Sequence, residues 1–156
     1  MSFRISSLPI EPFQPLFGLS EEALRAHGAR RCVADSKPGF PCRVTLADAE
    51  PGETLILLNY EHLPIETSPY RAKGPIFVRE SAKVGTAVVD SVPDYLARRP
   101  LSVRAYDRDG MMLDADVVDG QSLEPAIARM FENTEVAYLH AHFAKRGCYG
   151  ARIDRA

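Results

Sequence analysis

The chain has 156 residues, the size of one domain able to bury its own hydrophobic core, so a single domain over residues 1–156 is expected. With 46% hydrophobic and 26% charged residues and a net charge of −2, it has no apolar run of the roughly 18 residues that a membrane span needs and no overall positive field for nucleic acid, so neither membrane nor nucleic acid is an expected partner. Three cysteines, Cys32, Cys42 and Cys148, are an odd number without metal-type spacing, which predicts reduced thiols. The first nine residues lack a basic segment followed by an apolar run, so a cytoplasmic protein is expected.

Residues 3–8 read as a short strand, after which Pro9, Pro12 and Pro15 forbid regular structure until Ser20. Ser20 caps a short helix with Glu21 and Glu22 at its positive end, Gly28 stops it, and His27 suits the dipole of its last turn. Residues 29–34 read as a strand. Pro38 and Pro41 flank Gly39 and Phe40 in a stiff turn that delivers Cys42 and Arg43 to a strand start. Residues 54–60 are apolar on both sides, as in a central strand. Residues 61–74 read as a long ordered loop with His62 in solvent. A strand at 76–79 and two helical turns at 93–99, ended by Pro100, complete this half.

Two hairpins follow. Residues 101–107 and 111–118 flank Arg108, Asp109 and Gly110, a three-residue loop with glycine in the left-handed position. Pairing Asp107 with Met111 predicts an apolar face of Leu101, Val103, Ala105, Leu113, Ala115 and Val117; Ser102, Arg104, Tyr106, Asp114 and Asp116 take the other. Ser122 then caps a helix over 123–132, whose Leu123, Ala126, Ile127, Met130 and Phe131 make a stripe that packs on the apolar face of the hairpins. The last hairpin joins 136–144 to 148–153 through Lys145, Arg146 and Gly147. Its regular register sets His142 opposite Gly150 and His140 opposite Arg152. Tyr138, His140, His142, Cys148 and Arg152 then share one face, and Leu139, Ala141, Phe143, Tyr149 and Ile153 the other. The predicted architecture is α+β: one mainly antiparallel sheet of about six to eight strands with helices packed on part of one face.

Lys37-Pro-Gly-Phe-Pro-Cys-Arg43, Pro69-Tyr-Arg71, Gly74-Pro-Ile-Phe-Val-Arg-Glu80, Arg104-Ala-Tyr-Asp107 and Arg146-Gly-Cys148 give the chain, over nearly its whole length, a resemblance to domain-of-unknown-function family 1203. The resemblance implies a small stand-alone bacterial protein and carries no activity to any residue.

The polar faces of the two hairpins hold the chemistry. Guanidinium groups bind carboxylate and phosphate through paired, charge-assisted hydrogen bonds, so a small anionic molecule is the expected partner, with Arg43, Arg79, Arg104, His140, His142 and Arg152 as its binding residues. Histidines with ordinary pKa values would tune that binding as pH crosses roughly 6 to 7. The bland alternative pairs these arginines with neighbouring carboxylates on a solvated face. No glycine-rich phosphate loop opens a helix, which favours a small acid over a nucleotide. His140 and His142 with Cys148, completed by Asp114 or Asp116, carry the right donor atoms for metal, and Cys42 or Cys148 beside a histidine carries those for thiol catalysis. No metal ligand, cofactor or catalytic residue is assigned. A homodimer or partner surface anchored by Tyr106 and Tyr138 needs no chemistry at all.

Overall fold

In the computed structural model, which describes residues 1–156, both carboxy-terminal hairpins form, and they lie side by side in one antiparallel sheet. Its strand order is β7 (Ala87–Val89), β1 (Phe3–Ser6), β11 (Tyr149–Arg155), β10 (Tyr138–Phe143), β8 (Pro100–Tyr106) and β9 (Met112–Asp119). The expected single sheet is two. A second sheet orders β2 (Arg30–Val33), β5 (Thr54–Leu63), β6 (Ala72–Arg79), β3 (Pro41–Cys42) and β4 (Ala47–Asp48), all antiparallel except the β3–β6 pair. The apolar run in β5 is a central strand as read, but its neighbours are β2 and β6, not the hairpins. Alternation along a strand sets which side is buried; it does not say which strand lies alongside.

Three short α-helices, α1 (Glu21–Ala26), α2 (Asp94–Ala97) and α3 (Leu123–Phe131), leave the fold rich in sheet. The stripe of α3 covers the apolar face of the hairpins: Leu123, Ile127, Met130 and Phe131 are buried in one cluster with Leu101, Val103, Ala105, Leu139, Ala141 and Ile153. Each of these side chains other than the two alanines stabilises the fold by about 1.5–3 kcal/mol through lost apolar exposure. Ser122 takes the N-cap position of α3 as expected, but its side chain makes no capping hydrogen bond. Asp119 instead accepts from Gln121 N at 3.1 Å and a 3-10 turn, Gly120–Ser122, leads into the helix. A second cluster, in which Leu8, Phe13, Val44, Ile76 and Val78 surround Tyr149, joins the two sheets. No helix is long and apolar enough to cross a membrane.

Two β-bulges change the predicted faces. The first, between Ala105 and Tyr106, leaves Tyr106 opposite Met112 and puts Asp114 and Asp116 opposite core residues Ala105 and Val103. The two carboxylates reach Arg129 of α3 at the rim of the core, at 3.7 and 2.8 Å, while Val117, expected inside, is 68% exposed. The second bulge, between Ala141 and His142, sets His142 opposite Tyr149 in place of Gly150. That single extra residue carries Tyr149 onto the histidine face and Cys148 off it.

Candidate functional site: a histidine and arginine face

Three adjacent strands bring one row of side chains together. Arg104 on β8, His140 on β10 and Arg152 on β11 are partners in register, and Ser102, His142 and Tyr149 form the next row. Strands about 4.8 Å apart hold such neighbours on one face. The face is buried because β5 runs on to Leu63, three residues further than its apolar run suggests, and Leu63 packs on Tyr106 and Tyr138. His62 comes with it. Its ring centroid lies 4.9 Å from that of His142 and 6.1 Å from that of His140, and it stacks on Tyr149 at 5.6 Å. The solvated loop expected for His62 is therefore a strand end, and the loop proper spans only 64–71.

His140 is 3% and His142 1% exposed. His142 Nδ1 lies 3.0 Å from Gly147 O, a carbonyl that can only accept, so this nitrogen carries the proton and Nε2 the lone pair. His142 Nε2, His140 Nδ1 and His62 Nδ1 are buried without any hydrogen-bond partner. Three such atoms in one place are unusual, since buried polar groups are nearly always paired.

The charge state follows from burial. Desolvation first, then His142, His62, Arg152 and Arg104, hold His140 down to about 2. Desolvation also brings His142 down to about 3, against the opposing bond to Gly147 O and with Arg104, His62 and Arg43 adding to the fall. His62 is lowered too, by burial and by Arg104, with Glu61 opposing. All three rings are therefore neutral at pH 7, and the expected tuning between pH 6 and 7 does not arise from His140 or His142. The positive charge comes from arginines. Arg104 donates to Ser102 Oγ at 3.2 Å and has no carboxylate partner; Arg152 pairs with Asp154 at 2.9 Å and lies 4.0 Å over the Tyr138 ring. A cleft of about 370 Å³ opens here, lined by His62, Pro64, Arg108, Tyr138, His140 and Arg152 but not by Arg104 or His142, so the four residues expected around one pocket share a sheet face and only His140 and Arg152 reach the cleft.

The remaining expected residues lie elsewhere. Arg79, on β6, is held by Glu53 at 2.7 Å in the second sheet, as the ion-pair alternative has it. Arg43 is 1% exposed beyond Tyr149, whose carbonyl accepts from its Nε at 2.8 Å. Cys148 lies against Arg43 and lines a different cleft from His140. Asp114 and Asp116 turn to Arg129, so they do not complete a metal site with the histidines, and no group of three or more His, Cys, Asp or Glu is arranged to hold a metal ion. Tyr106 and Tyr138 are buried within the fold, which removes them as anchors for a partner. His62, Arg108 and Tyr149 are the members missed in sequence. The lack of any Gly or Pro between Thr54 and Pro64 was the signal for His62, whereas nothing in the alternation marks the bulge that turns Tyr149.

A family model described as "Protein of unknown function (DUF1203)" matches residues 39–155. No curated protein and no solved structure matches the chain.

Proposed function

We propose, for a chain that belongs to the DUF1203 family of proteins of unknown function, that the histidine and arginine face binds a small oxyanion such as a carboxylate or phosphate. The observation that carries this reading is the pair of partnerless Nδ1 atoms of His62 and His140, buried on neutral imidazoles beside a guanidinium without a carboxylate. A neutral imidazole gives an N–H to an oxyanion without itself needing a counter-charge, while Arg104 and Arg108 supply the attraction. A divalent cation would use the same nitrogens but would be repelled by Arg104 and Arg152.

Thermal melts with phosphate, sulfate and succinate test the proposal. At a hundred times its Kd a ligand adds about 2.7 kcal/mol, or about 5–10 °C in Tm for a chain of this size. Arg104→Ala is expected to remove that shift and to leave the ligand-free Tm within a few degrees, because Arg104 holds no ion pair. Loss of fold stability equal to the loss of binding would make Arg104 structural; a shift with zinc and none with any anion would replace the anion by a metal.

A further inference from the structure

A second cleft, of about 690 Å³, lies on the other side of Tyr149 from the histidines and is lined by none of the residues of the first. The stiff Pro38–Pro41 turn, the Arg146–Cys148 end of the last hairpin and residues 75–77 of β6 meet there. Its volume is in the range of small-molecule pockets, roughly 300–1,000 Å³. Five cationic side chains line it, Arg43, Arg98, Arg99, Lys145 and Arg146, and no acidic one does. Arg98 is paired with Asp94 and Arg99 with Asp48, which leaves Arg43, Lys145 and Arg146 uncompensated. Three unopposed positive charges in one cleft stand out in a chain of net charge −2.

The charges have different settings. Lys145 and Arg146 are exposed on the hairpin loop. Arg43 is 1% exposed, and its guanidinium donates to Tyr149 O at 2.8 Å, Pro41 O at 2.7 Å and Cys148 Sγ at 3.1 Å. A guanidinium has five N–H donors, so one on each terminal nitrogen remains without a partner. A buried cation held only by neutral groups is costly unless an anion joins it. The walls are flat and apolar: the Phe40 and Phe77 rings stand 5.3 Å apart, and Phe143 lies 5.1 Å from the Arg43 guanidinium and 5.0 Å from that of Arg99.

We propose that this cleft is a separate binding site for an organic anion with a flat apolar body, of the aromatic carboxylate class. The carboxylate meets the spare N–H groups of Arg43, the ring lies against the phenylalanines, and Lys145 and Arg146 draw the anion in from solvent. The half-buried thiol of Cys148 at the wall reports occupancy.

The test is protection of Cys148 from iodoacetamide by benzoate, followed peptide by peptide, with Cys32 as the internal reference and benzylamine as the cationic control. Benzoate at ten times its Kd is expected to slow alkylation of Cys148 about 10-fold by mass action. Cys32 and the benzylamine samples should be unchanged. Charge reversal of the exposed rim by Lys145→Glu with Arg146→Glu should weaken the protection, while Arg104→Ala should retain it, which separates this site from the histidine face. If Cys148 proves too shielded to alkylate, the readout is a Tm rise with benzoate that the double reversal removes. Equal protection by benzylamine, no effect of benzoate on either readout, or an effect untouched by the rim reversal overturns the proposal.

Discussion

His140 and Arg104 are partners across β10 and β8, an imidazole that burial keeps neutral beside a guanidinium that has no carboxylate partner. In the unfolded chain His140 and His142 titrate near 6.5; in the folded one they titrate at about 2 and about 3. The native state thus binds fewer protons than the unfolded state throughout that window. Their contribution to stability is complete above about pH 6.5 and is lost as pH falls towards the folded values, by up to about 1.4 kcal/mol per pH unit for each histidine. Urea unfolding between pH 6.5 and 4 should show that slope, and His140→Gln should reduce it by about one proton. An unchanged slope would mean that His140 is not neutral in the folded protein. At the same scale, Cys32, Cys42 and Cys148 are all free; thiol counting on denatured, unreduced protein is expected to find three, and a count of one would require a disulfide.

Among the elements, the two bulges decide what the hairpins present. The loops themselves were legible, because glycine in the third place of a three-residue loop has one conformation to adopt: Gly110 and Gly147 have φ of 78° and 80°. The bulges were not, because an inserted residue alters no single side chain's preference and pays off only in contacts made by distant strands. Hence the core face of β8 and β10 was readable from alternation, and that of β9, with Asp114 and Asp116 turned to α3, was not. Glycines also separate two kinds of constraint. At Gly147 a Cβ meets nothing within 4 Å, so Gly147→Ala is strained by φ alone and should cost about 1 kcal/mol. At Gly120 a Cβ would lie 2.1 Å from Leu96 O, within the contact of α2 with the turn before α3. Gly120→Ala should destabilise several times more than Gly147→Ala in denaturant unfolding; equal costs would show that the α2 contact yields easily.

Over the whole molecule, the histidine and arginine face is enclosed where two sheets meet. His140, His142, Arg104 and Arg152 were found together in sequence because two hairpins place them by local rules, and the hairpins are adjacent. His62 belongs to the other sheet, and its arrival depends on how β5 crosses to Tyr106 and Tyr138, a long-range contact that no local pattern encodes. Arg79 and Arg43 show the converse: residue type marked both as anion binders, but one is held by Glu53 and the other lies at a second cleft. Oxyanion binding on this face is read out at the rings themselves by ¹⁵N NMR of the histidine ring nitrogens at pH 7 during a titration with phosphate or succinate. The expected result is neutral rings for His62, His140 and His142, saturable shifts at His140 and His62, and no such shifts in Arg104→Ala. Rings that ignore every anion, or that respond alike in wild type and Arg104→Ala, would contradict an oxyanion site on this face.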